Sequence, residues 1–207
     1  MSDSPWEKLI RHEQHLLEIG GLRIQVNDHV FTPDPSITYS SEMVREHLPD
    51  VRDMRVADIG TGTGILALSA AQNGAREVVA TDVSSEAIEN ALRNVECNGY
   101  NETVTIMEAD LLDGVGGEFD LILANLPMLD DVWEKEGVSV GSTAEKFLNQ
   151  VPAKLSSNGQ VLVPWGSFAE DARIKFETLL GDLDFEYSLE SKEALGFTWY
   201  LYTISTS

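Results

Sequence analysis

From Arg55 onward, short apolar runs alternate with longer stretches whose apolar positions fall at helical spacing. RVADI (55–59), EVVATD (77–82), TVTIM (103–107), FDLILAN (119–125) and QVLVP (160–164) read as strands. Between and after them the pattern predicts helices over 63–73, 84–97, 142–155 and 168–180. Gly74 ends the first; Ser84 caps the second, and Asn98-Gly99 stops it. Asn158-Gly159 reads as a turn before the fifth strand. Two strands close the chain, FEYSLES and FTWYLYTIS, joined through Ala194-Leu195-Gly196. So short a connection cannot make a parallel crossover, so this pair is antiparallel. The expected fold is α/β: a Rossmann-like seven-stranded, mostly parallel sheet with helices on both faces and an antiparallel C-terminal strand hairpin.

The first fifty residues read differently. Pro5, Trp6, Leu9, Ile10, Leu16 and Leu17 predict a helix over 5–18, broken by Gly20-Gly21. LRIQV (22–26) alternates as a short strand, and Asn27-Asp28 turns. VFTPDPSI is irregular, and a helix over 36–48 starts at Ser36. We therefore expect residues 1–50 to be an N-terminal extension packed on a domain of residues 51–207.

Composition narrows the class. With 207 residues and 43% hydrophobic content the chain can build one substantial core. No run approaches the about 20 apolar residues of a membrane span, and the polar start MSDSPWEKLIRHEQ lacks a signal-peptide pattern, so a cytoplasmic protein is expected. The one cysteine, Cys97, fits a reducing compartment and has no basic neighbour to make it a reactive thiol. Net charge is −21. Such a surface repels phosphate backbones and disfavours a nucleic-acid partner, although a saline host would produce the same surface for every protein.

The chemistry gathers at the ends of the strands. VADIGTGTGILALSAA (56–71) is a strand, a loop with Gly60, Gly62 and Gly64, and a helix. Glycines at such a strand end let backbone approach a ligand. The spacing is G-x-G-x-G, neither the G-x-G-x-x-G of a dinucleotide site nor a phosphate-binding P-loop. Asp58 precedes the loop. The second strand ends in Asp82, placed to take both hydroxyls of a ribose. The third ends in Glu108-Ala109-Asp110-Leu111, a short acidic loop able to reach an adenine amino group.

This arrangement resembles the class I S-adenosylmethionine-dependent methyltransferases over about residues 30–205. VADIGTGTG looks like the family's first motif, VVATDVSSEAIENALRNVECNG its second, and IMEADLL its adenine-side motif. The resemblance implies S-adenosylmethionine as cofactor, bound by Asp58, Gly60, Thr61, Gly62, Gly64, Asp82, Val83, Asp110 and Leu111. In VFTPDPSITYSSEMV (30–44) it implies a cofactor-covering segment, with Phe31, Pro33 and Ser36 or Thr38 as counterparts. That segment is similar to the small-domain type, which includes protein-glutamine and rRNA guanine-N2 methyltransferases.

LILANLPML (121–129) ends the fourth strand, where the family can carry Asn/Asp-Pro-Pro-aromatic. The resemblance implies that Asn125, Leu126 and Pro127 form the catalytic loop, with Asn125 also against the cofactor. The Asn125 side-chain oxygen and the Leu126 carbonyl would hold two N–H groups of an acceptor nitrogen, and proline would stiffen the loop. Leu126 stands in place of the first proline and Met128 in place of the aromatic, so no ring face for a planar acceptor is evident there. The acceptor is left among a protein amide, an RNA amino group and a small molecule. The alternatives are a small-molecule methyltransferase, a module that binds the cofactor without catalysis, and a nicotinamide-dependent oxidoreductase. No metal site is expected: His12 and His15 lack a third ligand, and His29 and His47 are isolated. His29 is a weak acid/base candidate. Glu134, Lys135 and Glu136 read as a solvated loop, Trp165 as a residue on which a substrate could stack or that simply caps the core, and Trp199, Tyr200 and Tyr202 as ordinary sheet faces.

Overall fold

The computed structural model describes residues 9–10, 13–129 and 139–206. A seven-stranded sheet runs in the order β5-β4-β3-β6-β7-β9-β8. Its members are β3 (Arg55–Ile59), β4 (Glu77–Asp82), β5 (Val104–Glu108), β6 (Phe119–Ala124), β7 (Leu155–Gly166), β8 (Phe185–Ala194) and β9 (Phe197–Thr206). β5, β4, β3, β6 and β7 pair in parallel. β9 returns antiparallel between β7 and β8. The expected sheet and its closing hairpin are both present.

Each face of the sheet carries its own core. Ala57, Ile59, Ile122, Ala124, Val161 and Val163 face α4 (Val140–Gln150) and α5 (Glu170–Asp182). Val56, Val78, Leu121, Leu123 and Leu162 face α1 (Ser40–Glu46) and α2 (Ile65–Gln72), beside α3 (Ser85–Asn98). Alternate side chains of a strand point to opposite faces, so strands covered on both sides are apolar throughout.

The N-terminal segment corrects the predicted helix over 5–18. His15–Ile19 is a strand, β1, paired antiparallel with β2 (Leu22–Val26). Residues 5–8 and 11–12 of that predicted helix lie outside the described residues. Gly20 and Gly21 have φ values of 59° and 81°. A two-residue hairpin turn of type I′ has positive φ at both central positions, so the glycine pair reverses the chain instead of ending a helix. The helix predicted from Ser36 starts later, at Ser40. The Asp34 carboxylate accepts the Ser36 N–H at 2.8 Å and the Asp34 carbonyl accepts the Ile37 and Thr38 N–H groups, which makes 34–38 a turn. The Asn158-Gly159 turn is absorbed into β7 as an irregularity of register against β6. α4 stops at Gln150, before Pro152 in a short 3₁₀ turn.

An asparagine ladder fastens the hairpin to the domain. Asn90, Asn94 and Asn98 lie one turn apart on α3. Their side-chain oxygens accept the backbone N–H groups of Asn27, Gln25 and Arg23 at 2.8, 2.9 and 3.0 Å. Asn90 and Asn94 donate back to the Gln25 carbonyl, and Asn98 to the Arg23 carbonyl. Four residues of helix rise about 6.0 Å and two residues of strand about 6.8 Å, so amides on one helix face can track alternate strand residues. Asn94 also donates to the Thr63 carbonyl at 2.8 Å, tying the ladder to the glycine loop.

Candidate active site at the strand ends

β3 pairs with β4 on one side and β6 on the other, so the order of the sheet reverses at β3. Helices leave a crevice at such a switch point, beyond the carboxyl ends of the strands. One pocket there is lined by residues from the ends of β3, β4 and β6, by the loop after β5 and by the segment before α1.

The glycine loop is held by the two acids. Gly60, Gly62 and Gly64 have φ of 70°, 53° and 82°. A Cβ on Gly64 would also come within 3.4 Å of Ala91 on α3, so this glycine sets the approach of two helices. Asp58 is 1% exposed. Its Oδ2 accepts from Thr61 Oγ1 at 2.7 Å and from the Ala67 N–H at 3.0 Å. No described group donates to its Oδ1. Burial pushes the Asp58 carboxyl up to about 6; the Thr61 and Ala67 bonds oppose the rise, and the charge of Asp82 adds to it. Asp82 Oδ2 accepts the Gly62 N–H at 2.9 Å and Oδ1 the Ser84 N–H at 3.0 Å. Burial also raises the Asp82 carboxyl, against its backbone hydrogen bonds. Ser84 then caps α3, accepting the Ala87 N–H at 3.3 Å.

The loop after β5 carries strain. Leu111, which is not glycine, has φ of 59°. Thr81 Oγ1 donates to the Leu111 carbonyl at 2.8 Å and pins that turn. Lys146 on α4 bridges Asp110 and Asp113 at 2.6 and 2.7 Å. Those two bonds raise the lysine's pKa.

Asn125 stands just past β6, half-buried. Its Nδ2 donates to Ser40 Oγ and Ser41 Oγ, both at 3.1 Å. Leu126, Pro127 and Met128 follow along the pocket wall.

Of the residues picked out in the sequence, Phe31, Pro33, Asp58, Gly60, Thr61, Gly62, Asp82, Val83, Asp110, Leu111, Asn125, Leu126 and Pro127 all line this one pocket. Gly64 does not line it and acts from behind, at the start of α2. Thr38 lines the pocket; Ser36 is exposed and does not. Trp165 is absent from the lining: it is 2% exposed, stacks on Phe176 at 5.0 Å, and donates to the Ala169 carbonyl. Trp199 is in the lining instead, with Phe168 edge-on to it at 5.4 Å. The sequence reading missed Ser40, Ser41, Thr143 and Phe168. The paired serines of TYSSEMV were the one available signal, since two small hydroxyls open a helix otherwise packed on the core.

His29 sits at the pocket rim, exposed. His15 and His47 are engaged by backbone carbonyls of Glu13 and Met43. His12, Glu134, Lys135 and Glu136 lie outside the described residues. Among the described residues no group of three or more His, Cys, Asp or Glu could hold a metal ion. No helix among them is long and apolar enough to cross a membrane.

The model of the family "Methyltransferase small domain" matches residues 21–186. The chain belongs to this methyltransferase family. Over 71 residues it is 48% identical to the ribosomal protein L11 methyltransferase of Bacillus pumilus, covering 34% of this chain and 23% of that protein. Over 159 residues it is 27% identical to a provisionally named protein N5-glutamine methyltransferase of Methanocaldococcus jannaschii, covering 72% of this chain and 78% of that protein. The crystal structure of ribosomal protein L11 methylase from Lactobacillus delbrueckii subsp. bulgaricus superposes with a TM-score of 0.63 at 28% identity, over 81% of this chain and 77% of that one. The methyltransferase chain spans less than half the length of the curated L11 methyltransferases it matches, 23% of one and 40% of another.

Proposed function

We propose that this chain is an S-adenosylmethionine-dependent methyltransferase that N-methylates an amide or amino group, with a protein amide as the favoured acceptor. The observation that carries the reading is the convergence of Asp58, Asp82 and Asn125 on one pocket at the switch point. When bound, S-adenosylmethionine supplies a methyl group made electrophilic by its sulfonium.

The donor set suits that cofactor. A carboxylate offers about four lone-pair sites. Asp82 uses two of them on Gly62 and Ser84, which leaves two for vicinal ribose hydroxyls. Asp58 keeps Oδ1 without a donor in a fully buried position, an environment suited to a cationic group nearby. Asp110, with Oδ2 held by Lys146, has its other oxygen left for an adenine amino group. Phe31 and Pro33 would cover the cofactor, beside Val83, Leu111 and the Gly60–Gly64 loop.

Asn125 would accept one N–H of the acceptor and the Leu126 carbonyl a second, while Pro127 limits the loop's freedom. Positioning then aims the nitrogen lone pair at the methyl carbon. The carbon–sulfur bond breaks as the carbon–nitrogen bond forms, and the nitrogen releases a proton to solvent. Phe168, only partly buried, offers aromatic surface at this pocket where Met128 offers none. The acidic surface favours a protein acceptor over RNA, in keeping with the protein acceptors that the relatives' names state. The single cysteine is in keeping with a cytoplasmic setting.

Titration calorimetry with S-adenosylmethionine, S-adenosylhomocysteine and NADH tests the cofactor. The first two should saturate one site and NADH should not bind; NADH binding alone would sink the reading. Labelled-methyl transfer to a glutamine-containing basic peptide, to RNA and to small amines then separates the acceptor classes.

A further inference from the structure

We infer that Ser40 and Ser41 are positioning residues that fix the rotation of the Asn125 carboxamide, so that its oxygen faces the acceptor. The inference deepens the N-methylation reading and rests on it. A primary amide is chemically two-faced: its nitrogen carries two donors and its oxygen only accepts. Turned one way, Asn125 selects an acceptor bearing N–H groups. Turned by half a rotation, it presents donors and selects a carbonyl or an anion. A pocket built to hydrogen-bond one pattern rejects the other, because a buried polar group is then left unpaired.

Each Asn125 Nδ2 proton has its own hydroxyl oxygen, at 3.1 Å on Ser40 and 3.1 Å on Ser41. The serines are 2% and 4% exposed, so water does not compete well for them. Thr38 Oγ1, itself buried, lies 3.3 Å from Ser40 Oγ and extends the hydroxyl chain. The serines stand at the start of α1, whose Met43 and Val44 are fully buried in the core. Asn125 is therefore gripped from an element anchored in the core. A hydroxyl can donate as well as accept, so the bias toward this rotation rests on the Ser40 proton turning to Thr38 Oγ1; without the two hydroxyls that bias is lost.

The first readout needs neither cofactor nor acceptor. In ¹⁵N-labelled protein, the Asn125 side-chain NH₂ signal is identified by its loss in Asn125→Asp. Its two protons should exchange with water at least about tenfold more slowly than those of exposed Asn101. Ser40→Ala and Ser41→Ala should each release one proton, and the double variant both. Unprotected protons in the wild type, or protection that survives the double variant, would overturn the assignment. If the double variant does not fold, Ser41→Ala decides alone through its one proton. S-adenosylhomocysteine should bind the double variant within about twofold of wild type, a change of roughly 0.4 kcal/mol. A large loss of its affinity would make the serines cofactor contacts and would also overturn the assignment. Failure of the wild type to bind S-adenosylhomocysteine would instead refute the cofactor reading and leave the amide result standing.

Discussion

Replacing Asp58 by Asn should make the cofactor-free protein more stable and a poorer cofactor binder. The folded carboxyl is raised from 3.8 to about 6, mainly by burial. At about 1.4 kcal/mol per tenfold, keeping it ionised in the fold costs about 3 kcal/mol relative to the unfolded chain at neutral pH. The sign follows from proton counting. Below 3.8 the carboxyl is protonated in both states and costs nothing. Between 3.8 and about 6 the folded state holds the extra proton, so stability falls as pH rises. Above about 6 the full cost is present. Asparagine keeps an oxygen for Thr61 Oγ1 and the Ala67 N–H, both of which donate to one carboxylate oxygen, and carries no charge to desolvate. Asp58→Asn should therefore gain up to about 3 kcal/mol at pH 7.5, worth up to roughly 6–12 °C in Tm for a chain of this size, less the cost of two buried amide N–H groups without a described acceptor. At pH 4.5 the gain should shrink to at most about 1 kcal/mol. The assay is denaturant unfolding of both proteins at the two pH values, without cofactor. A stability difference between the two proteins that is the same at both pH values would refute the electrostatic account of this site. Calorimetry completes the test: wild-type affinity for S-adenosylmethionine should rise with pH through about 6, while the variant's should be weaker and flat.

Asp82→Ala removes the acceptor of the Gly62 and Ser84 N–H groups together with the proposed ribose partner; cofactor Kd should rise by roughly a hundredfold or more, and an unchanged Kd would displace the ribose from this strand end. Asn125→Ala should leave cofactor affinity unchanged and slow transfer by about 10²–10³ in single-turnover assays, the scale of one lost preorganised contact; full activity would take Asn125 out of the reaction. Asn94→Ala strands the Gln25 N–H and the Thr63 carbonyl inside the fold. It should cost about 2–3 kcal/mol in urea unfolding, with faster amide exchange at Gln25; no change in either would mean that the ladder is ornamental. Gly64→Ala forces a side chain onto φ of 82° against Ala91, and should lower stability by about 1–2 kcal/mol.

The parallel strands were legible because VVA (78–80) and LILA (121–124) are buried on both faces and so are written as unbroken apolar runs. The glycine loop and its two acids were legible because a backbone that must turn left-handed and lie close to a ligand restricts residue choice. β1 was not legible: a pair of leucines fits helix and strand alike, and only the partner strand decides. The place of Trp199 in the pocket wall was not legible for a related reason. Whether Trp165 or Trp199 faces the pocket depends on strand phase, and β7 contains an irregularity that no periodicity reveals. Ser40 and Ser41 were read only as helix, since their partner lies 84–85 residues away.

The asparagine ladder has a consequence for how the chain is made. β2 leaves the ribosome long before α3, whose amides complete its edge across 63 to 75 residues of sequence. At about 5–20 residues per second, the nascent hairpin waits roughly 3–15 s with one row of backbone groups answered only by water. It therefore docks only after the helix it needs, and it carries the segment before α1 with it. When α3 is complete, β6 and Asn125 are still to be made, so the hairpin can be in place before the pocket it flanks is finished.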